Sequence, residues 1–402
     1  MTAPELTNAP ALQALLVDPS LFTAPYDAAL TEGLVAAGGE PLWAVRPVRR
    51  RDRQEIPAPY VDDFFYRRVD DNPRIPRGVR KLVKGVSHAA GLVKLLGRVA
   101  RRRPGVVHFQ WAVLPTLDIL AMALIRRRCP VIMTVHDTVP FNGQRLSLLQ
   151  NLAFDVPIRF SDRVIVHTEA GRRRLLERGV AASKVAVIAH GPLSLPARAA
   201  REESPTRQDA RYTFVMFGEI KPYKGPDVLI EAVGRLPASL RDRARFIIAG
   251  RPSMDLGPLL ARLRELRLED TVEVRPARLS DDEMGALFCQ ADCFLFPYRQ
   301  VDASGVYFLT KSLGKWIIAS RVGVFAEDVS ERQGALVPPE DPAELADAIA
   351  RAVTERPRPT AAAPDRAWQD IGAATKQVYR EAQQEWSSRG SIPQRQRAAP
   401  IG

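Results

Sequence analysis

The stretch Phe214-Val-Met-Phe-Gly-Glu-Ile-Lys-Pro-Tyr-Lys-Gly225, with its later counterpart Phe296-Pro-Tyr-Arg-Gln-Val-Asp-Ala-Ser-Gly-Val306, decides how the chain reads. Each segment runs from an apolar strand through a short polar loop with glycine to the start of a helix. The helix after the second ends near Gly314. In parallel sheets, ligand loops sit at the carboxyl ends of strands, and helix N-termini present unpaired amides to anions. In the first loop Gly218 admits a ligand close to the backbone. Lys221 and Lys224 lie three apart and converge if the segment turns at Pro222, and Gly225 opens a helix. Two ammonium groups beside a helix terminus form a diphosphate clamp. This is not a P-loop, because GxxxxGK[ST] is absent. In the second loop the amides of Ser304 and Gly305 can hold a phosphate, and Asp302 can accept hydrogen bonds from hydroxyls. Alone, the first loop also reads as a solvated basic turn and the second as a helix capped by Ser304. Their place in one domain favours the anion reading.

The alternation continues on both sides of these loops. Tyr212–Phe217, Ala244–Gly250, Thr271–Arg275, Cys293–Pro297 and Trp316–Ser320 are expected strands. Gly225–Leu236, Leu259–Leu266, Ser280–Ala291, Tyr307–Leu313 and Ala343–Val353 are expected helices. In the first half, strands are expected at Ala11–Asp18, Pro41–Val48, Gly105–Trp111, Pro130–His136, Asp162–Thr168 and Val185–Ala189. Helices are expected at Pro25–Gly38, Lys81–Arg103, Leu114–Arg128, Leu146–Ser161 and Glu169–Gly179. Strand-helix alternation at this spacing implies α/β halves, each a parallel sheet with helices on both faces. Arg49–Arg80, dense in Pro, Asp and Arg, is expected to be irregular and to line an acceptor side. Residues 1–195 form the expected first domain, 196–211 a polar linker and 212–365 the second domain. Ala367–Trp386 is a final amphipathic helix, and 387–402 a disordered tail.

At 402 residues the chain exceeds one core, and 46% hydrophobic content fits a globular protein. No run approaches the roughly 18–20 apolar residues of a membrane span. The N-terminus has no basic, apolar and small-residue signal pattern, and Cys129, Cys289 and Cys293 suggest no disulfide framework, so a cytoplasmic setting is expected. Cys289 and Cys293 read as small core residues rather than metal ligands.

Net charge is +12, from 58 Lys and Arg against 46 Asp and Glu. Nucleic acid, an anionic membrane face or anionic substrates would each account for it. Lys81–Arg103 interleaves Leu82, Val83, Val86, Leu92, Val93, Leu95, Leu96 and Val99 with seven Lys or Arg. It reads either as a surface helix covering the sheet or as a helix making peripheral contact with an anionic inner membrane face. Gly85, Gly91 and Gly97 work against helix formation there. Among the histidines, His108 sits mid-strand and reads as structural. His136 and His190 end strands and are the better site candidates, and His167 lies near a strand end.

The order of these pieces resembles the glycosyltransferases of family four, retaining enzymes with the GT-B architecture. The matching segments are Thr134-Val-His-Asp-Thr-Val-Pro140, Asp162-Arg-Val-Ile-Val-His-Thr168, Val187-Ile-Ala-His-Gly-Pro192, Phe217–Gly225, Ala249-Gly250, Ala291-Asp-Cys-Phe-Leu-Phe-Pro-Tyr298, Asp302-Ala-Ser-Gly-Val306 and Gly314-Lys315 through Gly323. The resemblance implies two Rossmann-like domains facing across a cleft, an acceptor on the first, a nucleotide-diphospho-sugar on the second, and a last helix crossing back to the first. It places Lys221 and Lys224 on the donor diphosphate, His136 near the donor sugar and phosphate, and His190 on the acceptor side. Gly218, Arg278 in the base-binding loop Arg275–Leu279, Asp302 and the amides of Ala303, Ser304, Gly305 and Val306 complete the donor contacts. No cofactor and no metal are expected, because the lysines supply the positive charge. The implied reaction is transfer of a sugar to a hydroxyl acceptor with retention, in polysaccharide, glycolipid or glycosylated-metabolite biosynthesis.

One pattern departs from the family. Its two glutamates, separated by seven residues, fall here on Val301 and Leu309, whose side chains cannot hydrogen-bond a sugar or ribose. A non-catalytic GT-B scaffold with a degenerate donor site is therefore the main rival, and titration with nucleoside diphosphates separates the two. A nucleic-acid-binding protein lacks a reading motif here. A GT-B phosphorylase would need a cofactor-lysine motif that is absent, and a GT-B epimerase is a further rival.

Overall fold

The structure, a computed structural model, describes residues 12–49, 52–67, 69, 72, 75–76, 78–138, 148–195, 211–359 and 367–390. The expected linker, apart from Arg211, and the tail beyond residue 390 lie outside them. The chain forms two compact units. The first holds the described residues up to His136, those from 148 to Gly191, and the last helix. The second holds Asp137, Thr138 and the described residues from Pro192 to 359.

The first unit is built on one parallel sheet in the order β3-β2-β1-β4-β5-β6-β7. Its strands are β1 (Leu12–Asp18), β2 (Gly39–Val45), β3 (Val61–Asp63), β4 (Val106–Phe109), β5 (Val131–Val135), β6 (Arg163–Val166) and β7 (Val185–Val187). Strands covered on both faces carry continuous apolar runs, and β4 and β5 are buried at every residue. On one face α2 (Arg80–Arg102), α3 (Pro115–Ile125) and α5 (Glu169–Glu177) close a core that includes Leu95, Val99, Met122, Ile125 and Leu175. Also on that face, α4 (Leu148–Phe160) contributes Ile158. On the other, α1 (Ala24–Ala36) and the last helix, α13 (Ala367–Gly390), pack Leu30, Leu34, Ile371, Val378 and Tyr379 against Leu16, Trp43 and Val106.

The second unit has a parallel sheet in the order β10-β9-β8-β11-β12-β13. Its strands are β8 (Tyr212–Phe217), β9 (Ala244–Ala249), β10 (Val272–Arg275), β11 (Cys293–Phe296), β12 (Trp316–Ser320) and β13 (Gly334–Val337). Its helices are α6 (Pro226–Arg235), α7 (Ala238–Arg241), α8 (Gly257–Glu265), α9 (Asp281–Gln290), α10 (Gly305–Ser312), α11 (Gly323–Asp328) and α12 (Pro342–Glu355). Both sheets reverse strand order beside their first strand, between β1 and β4 and between β8 and β11. Doubly wound sheets open a ligand crevice at that switch point.

Some expectations need correction. Arg49–Arg80 is not wholly irregular, because Ala58–Tyr60 makes a 3-10 turn and β3 adds an edge strand beside β2. α11 and β13 went unread, being short and low in periodicity. Ser387–Gly390 continues the last helix instead of starting a tail. The glycines do not break α2, because packing overrides propensity: a Cβ on Gly91 would lie 2.2 Å from Phe65 Cδ1.

Candidate active site

In the second unit the loops after β8 and β11 converge. Gly218 ends β8 with φ +106°, and a Cβ there would meet Lys224 Nζ at 2.8 Å and Val306 Cγ2 at 3.3 Å. The lysine loop thus touches the first turn of α10. Pro222–Lys224 makes a 3-10 turn, which Gly225 leaves with φ +70°, pressed against the Pro297 carbonyl. Arg299 fastens the arrangement. Its guanidinium reaches the Pro222 carbonyl at 2.6 Å, Asp227 at 2.6 and 3.0 Å and Glu340 at 2.8 Å, and its amide donates to the Tyr223 carbonyl at 2.7 Å.

Lys224 is buried, with its ammonium 5.4 Å from the Tyr298 ring centroid. Burial, and then the charge of Lys221, lower its pKa to about 8. No carboxylate oxygen among the described residues lies within ion-pair distance of its Nζ. The Tyr298 hydroxyl is buried without a hydrogen-bond partner among the described residues. A buried cation without a counter-ion is costly unless an anion arrives. Lys221 is differently placed. It is partly exposed and 2.8 Å from Glu219, which also accepts from Arg251 at 2.5 Å and Ser253 at 2.6 Å. Burial works to raise the Glu219 pKa, but Lys221, Ser253 and Arg251 hold it at about 2.

Ser304 caps α10, its Oγ accepting from the Tyr307 amide at 3.4 Å, which leaves the Gly305 and Val306 amides in the first turn. Asp302 is buried, and its carboxylate accepts from the Thr138 amide and hydroxyl. Both bonds fall on one carboxylate oxygen, Oδ2. Ala303 and Val306 pack on the apolar cluster behind the loop. Arg278 is exposed in the loop at the carboxyl end of β10. Val301 and Leu309 are core residues of that cluster.

In the first unit, residues at the carboxyl ends of β1, β4, β5, β6 and β7 form one cluster. His136 Nδ1 is 3.1 Å from His167 Nε2, and His167 Nδ1 is 3.0 Å from the Ile188 carbonyl. That carbonyl only accepts, so His167 carries its proton on Nδ1. His136 then donates from Nδ1, and its Nε2 is an acceptor 2.9 Å from Gln110 Oε1. Two acceptors cannot pair, while Gln110 Nε2 is buried without a partner among the described residues. The amide is therefore turned so that its NH2 donates to His136. Burial, then the neighbouring histidines, push His136 well below the usual imidazole range, so it is neutral with both nitrogens engaged. Trp111 stacks on it at 5.2 Å and donates to Thr23 Oγ1 at 3.2 Å, and the largely exposed Phe22 meets the Trp111 ring edge at 5.5 Å.

His190 packs in a cage of Tyr26, His167 and Trp368, with Nδ1 donating to the Gly191 carbonyl at 2.6 Å. It anchors the last helix as well as ending a strand. His108 is structural as expected, bonded to Thr134 at 2.8 Å and Tyr379 at 2.7 Å. Beside the cluster, Asp18 and Asp27 are buried and interact, and burial raises the pKa of each.

Sequence reading missed Glu219, Arg299, Tyr298, Gln110 and Trp111. The Gln110-Trp111 pair follows a strand, the same signal that singled out His136. Nothing local marks the long-range partners of Arg299.

Two family models match. One, described as glycosyl transferases group 1, covers residues 211–355, and the other, glycosyltransferase family 4, covers residues 27–191. D-inositol 3-phosphate glycosyltransferase of Kineococcus radiotolerans is 28% identical over 59% of this chain and 61% of its own. That of Streptomyces bingchenggensis is 26% identical over 72% and 70%. The chain thus spans about three-fifths of the length of the first of these relatives. The crystal structure of Anabaena Alr3699/HepE in complex with UDP matches with TM-score 0.63 and 17% identity, over 95% of this chain and 100% of that one. Sucrose-phosphate synthase from Thermosynechococcus elongatus matches with TM-score 0.59 and 19% identity, over 94% and 98%. The architecture is that of GT-B proteins, and the chain belongs to the group 1, family 4 glycosyltransferases.

Proposed function

We propose that this protein transfers a sugar from a nucleotide-diphospho-sugar to a hydroxyl acceptor with retention at the anomeric carbon. The observation that carries this reading is the buried Lys224 ammonium, without a carboxylate partner among the described residues, beside the first turn of α10. As the bond from the anomeric carbon to the diphosphate oxygen breaks, negative charge grows on the leaving phosphate. Lys224, the α10 amides and Lys221 released from Glu219 are placed to stabilise it, and such fixed charge is where catalysis of this kind gains most. The acceptor hydroxyl forms the new bond, and its proton passes to the departing diphosphate.

These cations supply the charge a metal otherwise would, so the reaction proceeds without one. The HepE structures hold UDP or UDP-glucose, and the relatives are named for D-inositol 3-phosphate. Both support a UDP-sugar as first donor probe and an anionic or glycan acceptor. We place the acceptor in polysaccharide, glycolipid or glycosylated-metabolite synthesis, and the protein at an anionic inner membrane face.

Calorimetric titration with UDP, GDP and ADP tests the donor site, followed by turnover with the matching sugar nucleotides. Lys221→Ala with Lys224→Ala is expected to abolish transfer and to weaken diphosphate binding at least a hundredfold. Full turnover by that double variant, or no diphosphate binding by the natural protein, overturns the reading. The second outcome favours a scaffold, a reading that the burial of Val301 and Leu309 keeps open.

A further inference from the structure

α2 carries no acidic residue, and its surface divides into three sectors. His88, Leu92, Leu95 and Val99 face the core. At 100° per residue, Leu82, Val86 and Val93 form a separate row about a third of a turn from the core row, and they are 71%, 64% and 69% exposed. Lys94, Arg98, Arg101 and Arg102 gather on one flank between these faces. Arg98 is engaged inward, 2.5 Å from Asp62 and stacked on Phe64, while Lys94, Arg101 and Arg102 are exposed. α3 adds a second apolar row, Leu120 at 63% and Leu124 at 44%, and Arg127 and Arg128 follow it, exposed. An open crevice runs between the helices, lined by Leu96, Val99, Leu124 and Ile125 and rimmed by those two arginines.

Of the nine large apolar side chains exposed among the described residues, five lie on α2 and α3, and Val79 adjoins α2. Scattered exposed leucines need no explanation, but a patch of this kind marks an interaction surface. Water solvates the basic flank without help, and would not favour five exposed aliphatic side chains beside it. A second copy of the chain meeting this face would bring like charges together. An anionic bilayer satisfies both parts of the surface.

We propose that the α2–α3 face docks on an anionic bilayer. Leu82, Val86, Val93, Leu120 and Leu124 enter the headgroup boundary, and the cationic flank lies among the lipid phosphates. The docking needs no donor, so it stands or falls apart from glycosyl transfer.

The test is co-sedimentation of the full chain with vesicles of phosphatidylcholine alone or with one-third phosphatidylglycerol, at low and high salt. Binding is expected with the anionic vesicles only, and to weaken with salt. Leu82→Ser/Val86→Ser/Val93→Ser is expected to lower the partition at least tenfold, at about tenfold per fully buried aliphatic chain. Lys94→Glu/Arg101→Glu/Arg102→Glu is expected to lower it at least a hundredfold, since each basic residue contributes roughly fivefold. All six side chains are exposed, so both variants should keep the natural UDP affinity and melting temperature, which separates lost docking from lost folding. No binding by the natural chain at low salt, or full binding by the apolar variant, overturns the proposal. So does a concentration-dependent dimer in light scattering that the apolar variant loses, because the face would then be a contact between copies.

Discussion

Acidification should unfold the first unit through its histidines. His108, His167 and His190 have pKa values lowered by burial to about 3, about 4 and about 3, and His136 is also held well below the usual range. The unfolded chain takes up these protons near pH 6.5. Stability is therefore complete above that value and is lost as pH falls toward the folded pKa values. From pH 7 to pH 5, linkage gives each such imidazole a loss of about 2 kcal/mol. The three numbered groups together lose about 6 kcal/mol by the same arithmetic. Asp18 and Asp27 act in the other direction. Their raised pKa values let the folded state hold protons that the unfolded state releases, which offsets part of that loss. The histidine loss alone is comparable with the whole stability of many domains.

The assay is urea unfolding by tryptophan fluorescence at several pH values in a Trp316→Phe background. Trp43, Trp111, Trp368 and Trp386 then all report on the first unit. The midpoint should fall steadily below pH 6.5, with a slope corresponding to two or more protons taken up on unfolding. A flat midpoint between pH 7 and pH 5, or uptake of less than one proton, would refute the neutral buried cluster.

Other consequences are local. Lys224→Met should leave the melting temperature unchanged or raise it, since a buried ammonium gives way to an apolar chain of similar length, while UDP binding falls at least a hundredfold by calorimetry. Gly225→Ala should cost several kcal/mol in urea unfolding of the second unit, because φ is +70° and a Cβ would sit 2.1 Å from the Pro297 carbonyl oxygen. Transfer should persist in excess EDTA, and loss restored by Mg²⁺ or Mn²⁺ would show that the lysines do not suffice. Phe22→Ala should shift melting little, because the ring is 62% exposed, but should raise the acceptor KM several-fold if the Phe22–Trp111 edge meets the acceptor.

The strands were legible because parallel strands buried on both faces are written as apolar runs, and Tyr212–Phe217 and Trp316–Ser320 match residue for residue. β3 was not, because a three-residue edge strand of half-buried Val-Asp-Asp carries no period. The loops showed which residue types meet an anion, yet not how the lysines divide the work. Only the fold shows that Lys224 is buried with no carboxylate partner among the described residues and that Lys221 lies on Glu219. His136 was located correctly at a strand end, but its partners, Gln110 and His167, come from β4 and β6, far along the chain.

The last helix sets a timetable. Gly33 on α1 and Gly372 on α13 meet backbone to backbone, so closely that a Cβ on Gly33 would lie 2.0 Å from the Trp368 carbonyl oxygen. Lys376 reaches the carbonyls of Ala37 and Gly38, and Tyr379 bonds His108. During synthesis the second unit can complete its core before α13 emerges. The first must wait with the part of its sheet around Val106 and Ile132, beyond the cover of α1, exposed. For roughly the time it takes to add the intervening residues, on the order of ten to thirty-five seconds at about 5–20 residues per second, that part is a target for chaperones and for aggregation. Premature termination within the second unit would leave it uncovered for good.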